Sequence, residues 1–490
     1  MVSGCAGLPR HVEKSKTEAY PTPDATTLGQ IVEAEEPDKN LSGVRLLSYG
    51  DEALASLIAL ADHAERTLDI QYYIIHEDQS TLMFLHHVRM AADRGVRVRL
   101  LVDDLNTAGE DRRFMHLGEH RNVEVRVFNP FTAARFSTWI RWVASASDIR
   151  RINHRMHNKL FVADNALAIT GGRNIGDQYF TRDPYNNFID LDVVVAGAIV
   201  RELSASFDEF WNSKYAFPIA SVASAVDAEA TPPLPPEAEA SGSAAWLEQE
   251  LDAHELQLIW VPASVLADQP AKIASEAAPQ VEVTIANDIT ALMKSAKQEL
   301  IIISPYFVPG KQGLALLTEL VARGVRIRIL TNSLAATDSP LVDIGYSRYR
   351  APLLKLGVDL HEVEPKLGQK HARFHPFRST NASLHAKALV IDPQIVFIGS
   401  LNMDERSASI NSDLGLVISS ADVARQVTNL LDDISTDGSY KLRLQSGTDR
   451  VEWVSGDAGS QQVWHTDPET SRTERLWLKL LSPFAPDELL

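Results

Sequence analysis

The sequence is short of cysteine, of long apolar runs and of positive charge, and each shortage excludes a class of protein. Cys5 is the only cysteine, so the chain forms no internal disulfide bond. No run reaches the roughly 18 apolar residues that a membrane-spanning helix requires. The formal net charge is −18. A chain this acidic binds nucleic acid poorly, because lysine and arginine supply most of the affinity for phosphate backbones. We therefore expect no nucleic-acid partner.

The 490 residues are too many for one ordinary hydrophobic core, and they contain an internal duplication. The stretch AADRGVRVRLLVDDL at 91–105 returns as LVARGVRIRILTNSL at 320–334. Likewise, LDIQYYI at 68–74 returns as IIISPYFV at 301–308. Because these matches keep the same order and nearly the same offset, the chain is a duplicated unit.

Each copy alternates amphipathic helices with buried strands, which predicts an α/β fold with parallel or mixed sheets. The apolar runs VRVRLLV and VRIRILT each follow an Arg-Gly pair that stops a helix, as in a β-α-β crossover. Pro, Ala and Glu dominate the residues between the copies, which indicates a linker. We predict an N-terminal tail, a first half, a linker, a second half, and a C-terminal extension with a hairpin and an amphipathic segment, at 1–40, 41–218, 219–250, 251–436 and 437–490.

The motif H-x-K-x4-D occurs once in each copy, as HNKLFVAD and HAKALVID, and a turn of small residues leads from each to an asparagine. Side chains two positions apart on a strand share a face, so each histidine should point to the same side as its lysine. The aspartates fall at the following turn, and their simplest role is to order it. The candidate residues of the two motifs are His157, Lys159, Asp164 and Asn174, and His385, Lys387, Asp392 and Asn402.

Together the two copies bring two imidazoles, two ammonium groups and two amides to one cavity, a set that suits a phosphodiester. The lysines neutralise its non-bridging oxygens, while Asn174, Asn402 and Ser400 donate hydrogen bonds to the pentacoordinate state. One histidine attacks phosphorus and the other protonates the departing alkoxide, since imidazole titrates near neutral pH. A single motif would supply half of this set, so the duplication builds one symmetric site.

A metal site has less support in the sequence than the histidine mechanism has. His154 and His157 could form a pair of ligands, but no Cys, Asp or Glu near them completes a zinc site. We therefore expect no metal and no other cofactor.

At these residues the sequence resembles the phospholipase D superfamily, whose signature H-x-K-x4-D-x6-G-(G/S)-x-N is present twice. LVDDL, SPYFVP and SLNMDERSASINSDLGLVI make it more narrowly similar to the bacterial cardiolipin synthases, especially those of the third (C) type. The resemblance covers most of residues 41–436. It implies two α-β-α sandwich halves that form one pseudo-symmetric site.

The resemblance also implies roles for individual residues. His157 would be the nucleophile and His385 the general acid and base. An acidic residue downstream of each motif, Asp190 or Asp413, would orient a histidine. Asp413 stands where relatives more often have Glu, and Asp192 lies on the same strand face as Asp190 and could replace it.

The implied activity is cardiolipin synthesis by phosphatidyl transfer through a phosphatidyl-histidine. The acceptor would be phosphatidylglycerol, and the donor phosphatidylglycerol or phosphatidylethanolamine. A hydrolytic phospholipase D, a phosphodiesterase or nuclease, and a scaffold with a retired site remain alternatives. The protein partner, if any, is not indicated.

Two segments suggest contact with a membrane surface. Residues 131–151 combine aromatic side chains, among them Trp139 and Trp142, with arginines, which fits an interfacial element beside anionic lipid. A helix packed on the domain is the alternative, and TERLWLKLL near the C-terminus presents the same choice.

VSGC resembles the end of a bacterial lipoprotein signal, so Cys5 is either lipidated or part of an ordinary tail. We expect a bacterial cell-envelope protein, peripheral to or lipid-anchored on the inner membrane.

Overall fold

The computed structural model describes residues 8, 12–107, 111–131, 140–141, 148–223, 245–274, 284–366, 381–456 and 461–482. Its strands in chain order are β1 (Ser42–Leu47), β2 (Thr67–Tyr72), β3 (Arg97–Asp103), β4 (Val123–Phe128), β5 (Leu160–Ala163), β6 (Leu167–Gly171), β7 (Asn186–Ile189), β8 (Asp192–Gly197), β9 (Ala216–Pro218), β10 (Ile259–Val261), β11 (Ala263–Ala267), β12 (Glu299–Ile303), β13 (Arg326–Asn332), β14 (Asp359–Val363), β15 (Asn381–Leu384), β16 (Ala388–Ile391), β17 (Ile395–Gly399), β18 (Leu414–Ser419), β19 (Ser439–Leu444), β20 (Val451–Ser455) and β21 (Gln462–Trp464).

Its α-helices are α1 (Thr27–Glu35), α2 (Gly50–His63), α3 (Gln79–Asp93), α4 (Asp111–Gly118), α5 (Ile149–Asn153), α6 (Ala198–Asn212), α7 (Ile219–Val222), α8 (Trp246–Ala253), α9 (Ile285–Ser295), α10 (Gly310–Ala322), α11 (Pro340–Lys355), α12 (Glu405–Ser409), α13 (Ala421–Asp437) and α14 (Arg472–Leu481). Short 3-10 helices lie at Pro23–Ala25 and Pro270–Ala274.

The strands of the described residues form two large mixed sheets, one for each copy of the duplication. The first runs β10-β1-β8-β6-β5-β2-β3-β4-β9, and the second runs β11-β18-β17-β16-β12-β13-β14-β19-β20-β21. Seven strands follow the same order in both, from β1 to β4 and from β11 to β14. The last three of each seven are parallel and their other pairings are antiparallel. This confirms the predicted α/β fold of two duplicated halves.

Helices join the parallel strands, as β-α-β connections require. α3 joins β2 to β3, and α10 joins β12 to β13. Each helix ends before an Arg-Gly pair whose glycine, Gly95 or Gly324, has a φ of 105° or 85°. Glycine adopts this left-handed region without strain, so the two glycines stop the helices where the sequence indicated.

The second half was predicted to begin at residue 251, but the chain still contributes to the first sheet after that residue. Leu247 and Leu251 of α8 are buried in the core of the first half. β10 then pairs with β1, and only β11 enters the second sheet, beside β18. In the predicted C-terminal extension, β19 continues the second sheet from β14, and β20 and β21 follow. Strands as short as β10 carry too little periodicity to be assigned to a sheet from sequence.

The two halves meet through a shared hydrophobic core. One buried cluster contains side chains from both sheets together with Phe207 and Trp211 of α6 and Val427 and Ile434 of α13. Backbone pairing adds to this contact, because β7 of the first half lies parallel to β15 of the second. This packing determines how the motif of one half faces the residues of the other.

Asp164 and Asp392, the aspartates of the two motifs, fasten a turn to the start of a neighbouring strand. The carboxylate of Asp164 accepts backbone N–H bonds from residues 65–67 at 2.7 to 2.9 Å, at the start of β2. Asp392 accepts the equivalent bonds from residues 297–299 at 2.8 to 3.3 Å, at the start of β12. Their φ values are 54° and 50°, a region that Asp and Asn tolerate better than other side chains. These contacts fit the turn-ordering role.

Replacing Asp164 with Asn should destabilise the fold and leave the chemistry of the site intact. Asn keeps the tolerance for positive φ, but its amide nitrogen cannot accept an N–H bond. We expect Asp164→Asn to lower the free energy of unfolding by about 1–3 kcal/mol, the cost of an unsatisfied buried donor. Asp392→Asn should cost less, because Asp392 is partly exposed. Denaturant titration measures both. Unchanged stability together with lost turnover would mean that the aspartates take part in the reaction.

Candidate active site

A cavity of about 380 Å³ lies where the two halves meet, and both motif histidines line it. Its walls combine aromatic, acidic, amide and apolar side chains from both halves. The lining residues are Tyr73, Ile74, Asn106, His157, Asn174, Tyr179, Tyr306, Asp338, Ser339, Leu341, Val342, His385, Asn402, Asp404, Arg406, Ser407 and Asn411. The structure therefore brings the two copies of the motif to one site.

Each histidine stands just before a strand, because β5 and β16 begin only after the lysine of the motif. The expected alternation along a strand is therefore not what aims these side chains. Their backbone is held by the opposite half instead. The N–H of His157 donates to Ser412 O at 2.9 Å, and the N–H of His385 donates to Ile189 O at 2.8 Å. Each acceptor residue directly precedes one of the downstream acids: Ser412 precedes Asp413, and Ile189 precedes Asp190.

The two histidines pair crosswise with those acids. His157 Nδ1 lies 2.8 Å from Asp413 Oδ1, and His385 Nδ1 lies 2.6 Å from Asp190 Oδ2. All four side chains are buried. Asp413 thus reaches its histidine although it is one methylene shorter than Glu. With Nδ1 of each ring bonded to a carboxylate, Nε2 is the nitrogen left for chemistry.

Asp192, the possible replacement for Asp190, is engaged elsewhere. The backbone N–H and Nη1 of Arg173 both donate to its carboxylate at 3.1 Å. The other terminal nitrogen of Arg173, Nη2, donates to Asp190 O at 2.6 Å. Asp190 therefore holds His385, while Asp192 and Arg173 hold the backbone of Asp190.

Burial controls the protonation of both histidines. It lowers the pKa of His157 to about 3, with the charge of Lys159 adding to the effect and Asp413 opposing it. Burial also lowers the pKa of His385, and Lys387 adds to that effect. Both imidazoles are therefore neutral at neutral pH and keep a lone pair for attack. A phosphodiester anion beside them raises these pKa values, because a nearby negative charge favours the protonated ring.

The lysines lie behind the histidines and do not line the cavity. Lys159 Nζ donates to His157 O at 2.6 Å, and Lys387 Nζ donates to His385 O and lies 3.0 Å from His385 Nδ1. Burial lowers the pKa of Lys387 to about 8 and that of Lys159 well below its usual range, where the charge of Lys387 adds to the effect. Burial alone would raise the pKa of Asp190, but His385 and Lys387 outweigh it and lower the value to about 2. Both amines lie near the buried carboxylates of Asp190 and Asp413, where the low dielectric constant strengthens their interaction.

Of the predicted hydrogen-bond donors, the two asparagines line the cavity and Ser400 does not. Ser400 is fully buried, and its hydroxyl donates to Asp413 Oδ1 at 2.7 Å. The expectation that Ser400 faces the substrate is therefore replaced by a role in holding the partner of His157. Asn174 accepts a bond from the N–H of Ile74 at 3.2 Å, and Asn402 Oδ1 has no hydrogen-bond partner among the described residues.

A further buried ion pair supports Asp413 and was not predicted from sequence. Lys272 Nζ donates to Asp268 Oδ2 at 2.8 Å, and the backbone N–H of Asp413 donates to the same oxygen at 3.0 Å. Both residues precede α9 in a segment without any motif. No sequence signal marked them.

Sequence reasoning also missed the side chains that surround the histidines. Tyr73 packs edge-on against His157, with ring centroids 4.9 Å apart, and Tyr179 packs against His385 at 5.2 Å. Burial raises the pKa of Asp404 to about 7, and the charge of Asp413 adds to the effect, so this carboxyl is partly uncharged at neutral pH and repels an anion less. Tyr73 lies in LDIQYYI, which belongs to the internal repeat, and Asp404 lies in NMDERSAS, which belongs to the stretch that resembles the cardiolipin synthases. Their position in those stretches is the signal that could have found them.

Trp139 and Trp142, the predicted membrane contacts, lie outside the described residues, as does Cys5. Two of their neighbours in residues 131–151 are described as buried: Phe131 and Arg141, whose guanidinium lies 4.8 Å from the Phe131 ring. These two side chains therefore belong to the domain interior and are not part of an exposed interfacial surface.

Neither a membrane span nor a metal centre is visible in the described ranges. None of the helices there has the length and apolar content of a membrane span. No three His, Cys, Asp or Glu side chains gather there in a way that could hold a metal ion.

Gly172 offers a test of the pairing between Asp190 and His385. A Cβ at this position would lie 2.1 Å from Asp190 Oδ1, so Gly172→Ala must displace the carboxylate. We expect turnover of a soluble chromogenic phosphodiester to fall roughly 10²- to 10⁴-fold, the usual contribution of a positioned acid or base. Gly118→Ala is the matched control, because a Cβ there meets nothing closer than 3.7 Å.

The double variant Gly172→Ala with Asp190→Asn separates displacement of Asp190 from general damage. If both changes act on the same contact, the double variant should be no slower than the slower single variant. Losses that multiply, together with a lower melting temperature, would show that Gly172→Ala disturbs the fold instead.

Comparison with known proteins agrees with this geometry. A family model described as "Cardiolipin synthase, PLD-like domain" matches residues 57–211 and 289–434, one segment in each half. The chain is 36% identical over 455 residues to cardiolipin synthase C of Escherichia coli (strain K12), a match that covers 90% of this chain and 94% of that protein. It is 26% identical over 398 residues to cardiolipin synthase 1 of Bacillus anthracis, covering 81% and 67%. The phosphatidylserine synthase of Haemophilus influenzae Rd KW20 shares the fold, with a TM-score of 0.58 at 14% identity over 94% of this chain and 99% of that one. The chain therefore belongs to the phospholipase D superfamily, in its cardiolipin synthase family.

Proposed function

We propose that this phospholipase D-type phosphatidyltransferase makes cardiolipin, by moving a phosphatidyl group from one phospholipid to a glycerol hydroxyl of phosphatidylglycerol. The observation that carries the proposal is the crossed pairing of two histidines with two aspartates around one cavity. Each pair leaves one Nε2 for chemistry, so the site offers both a nucleophile and a proton carrier. The similarity over almost the whole chain to cardiolipin synthase C supports the same activity.

In the first step, Nε2 of His157 attacks the phosphorus of the donor lipid. A P–N bond forms as the P–O bond to the headgroup breaks, and Nε2–H of His385 protonates the departing alkoxide oxygen to give the free alcohol. The low pKa of His157 supports its role as nucleophile, because its lone pair is not blocked by a proton. The anionic substrate raises the pKa of His385 and so favours the protonated form that a general acid needs.

In the second step, a hydroxyl of phosphatidylglycerol gives its proton to His385 and attacks the phosphorus. The P–N bond breaks, cardiolipin leaves and His157 is regenerated. The covalent intermediate retains the energy of the phosphodiester, so the transfer needs neither a nucleotide nor a metal. Lys159 and Lys387 favour the extra negative charge of both pentacoordinate states, and Asn174 and Asn402 add polar contacts at the cavity wall.

The lipid specificity and the cellular place belong to the same proposal. Phospholipids are the substrates, with phosphatidylglycerol as acceptor and either phosphatidylglycerol or phosphatidylethanolamine as donor. The enzyme works at the surface of the bacterial inner membrane, as a peripheral or lipid-anchored protein. Trp139 and Trp142 remain predicted contacts with that surface.

Incubation of the purified protein with labelled phosphatidylglycerol in vesicles, with and without phosphatidylethanolamine, tests the activity. Lipid analysis should show cardiolipin, and the released alcohol, glycerol or ethanolamine, identifies the donor. His157→Ala and His385→Ala should each abolish the product, because neither ring can serve as nucleophile and proton carrier in one step. His116→Ala is the control, since His116 is an exposed histidine of α4. Phosphatidic acid without cardiolipin would instead identify a hydrolytic phospholipase D, and full activity of either motif variant would exclude this site.

A further inference from the structure

Helix α14, close to the C-terminus, carries an apolar face that no described residue covers. Leu476, Trp477 and Leu480 are 60%, 66% and 58% exposed, and Leu481 is exposed beside them. Large apolar side chains are seldom this open to solvent in a contiguous group unless the surface binds something.

The face has the composition of a helix that lies in a membrane interface. At about 100° per residue, its four exposed apolar side chains span an arc of about 140°. Arg472 and Lys479 are exposed along one border of that arc. The helix carries three basic residues and one acid, whereas the whole chain has a net charge of −18. An apolar face bordered by cations matches a surface of anionic phospholipid.

The helix is held firmly against the second half, so its exposed face has a defined direction. Ser471 and Glu474 form a capping box at its first turn. On the opposite side Leu478 packs against buried Ile344 of α11. Arg348 Nη2 of α11 donates to Ser482 O, just after the helix, at 2.8 Å.

The same helix α11 leads to the active-site cavity. Leu341 and Val342, in its first turn, line the cavity, and Leu341 is 51% exposed. Ile344, which contacts α14, follows Leu341 by three residues, about 5 Å along the helix axis. Helix α14 therefore packs on the same helix whose first turn lines the cavity that holds both histidines.

We propose that α14 docks this enzyme on a bilayer of anionic phospholipid and so places the cavity mouth at the lipid surface. The inference rests on the proposed function, because phospholipid substrates are what make a bilayer the occupant. Trp477, Leu476 and Leu480 enter the interface, while Arg472 and Lys479 meet the phosphates of the headgroups. Leu341 then faces the acyl chains of a lipid whose headgroup lies in the cavity.

The test uses a double variant that combines Trp477→Ser and Leu480→Ser, and it compares this variant with Met90→Ser. Met90 is a large exposed apolar side chain of α3 and serves as the matched control. We expect the double variant to bind vesicles of phosphatidylglycerol and phosphatidylcholine roughly tenfold or more weakly in cosedimentation. Met90→Ser should bind as wild type does. Arg472→Gln with Lys479→Gln should lose binding to these vesicles and change little with phosphatidylcholine alone.

Three further measurements on the double variant make the outcome decisive. Its melting temperature and its turnover of a short-chain soluble phosphatidylglycerol should match wild type, because the histidine pairs are untouched. Unchanged vesicle binding would overturn the proposal, as would joint loss of stability, soluble turnover and binding. Loss of a dimer on size exclusion with vesicle binding unchanged would make a second copy of the chain the occupant. If the wild type binds vesicles through α14 but transfers no phosphatidyl group, the docking surface stands and the proposed activity fails.

Discussion

Asp413 and Asp190 bury their carboxylates against imidazoles that belong to the other half of the molecule. A carboxylate removed from water is costly unless partners compensate it, and here the imidazole partner of each carboxylate comes from the other half. The shared core around α6 and α13 and the pairing of β7 with β15 hold the halves in that arrangement. Assembly of the interface and assembly of the site are therefore one event, and neither half alone holds a complete pair.

The duplication is symmetric in its strands but not in the surroundings of its histidines. The partner of His157 is supported by Ser400 and by the pair of Asp268 with Lys272. The partner of His385 is supported by Arg173, and Lys387 lies beside the ring. Because protonation of an imidazole depends on the charges around it, these different surroundings support the proposed division of roles between the two histidines.

Features that occur twice in the sequence could be predicted from it, whereas contacts that form only between the two halves could not. The two halves, the Arg-Gly helix stops and the convergence of His157 with His385 follow from patterns that occur twice. The pairing of each histidine with an aspartate of the other half does not follow from these patterns. Strand periodicity predicts the face on which a side chain lies, but not the residue that packs against it. Ser400 shows the same limit: its place in the motif predicted contact with substrate, whereas packing turned it towards Asp413. The edge strand β10 and the strand β19 joined their sheets for similar reasons, since tertiary contacts decide which strands extend a sheet.

We propose that Nε2 of His157, whose Nδ1 is held by Asp413, carries the phosphatidyl group. Rapid mixing with phosphatidylglycerol and quenching in alkaline denaturant, which preserves a phosphorus–nitrogen bond, allows the adduct to be located by peptide mass spectrometry. This assignment predicts an adduct on His157 in wild type and a lower yield of it in Asp413→Asn, whose neutral amide no longer compensates the positive charge of the ring. An adduct on His385 in the wild-type protein, or on an oxygen nucleophile, would contradict it.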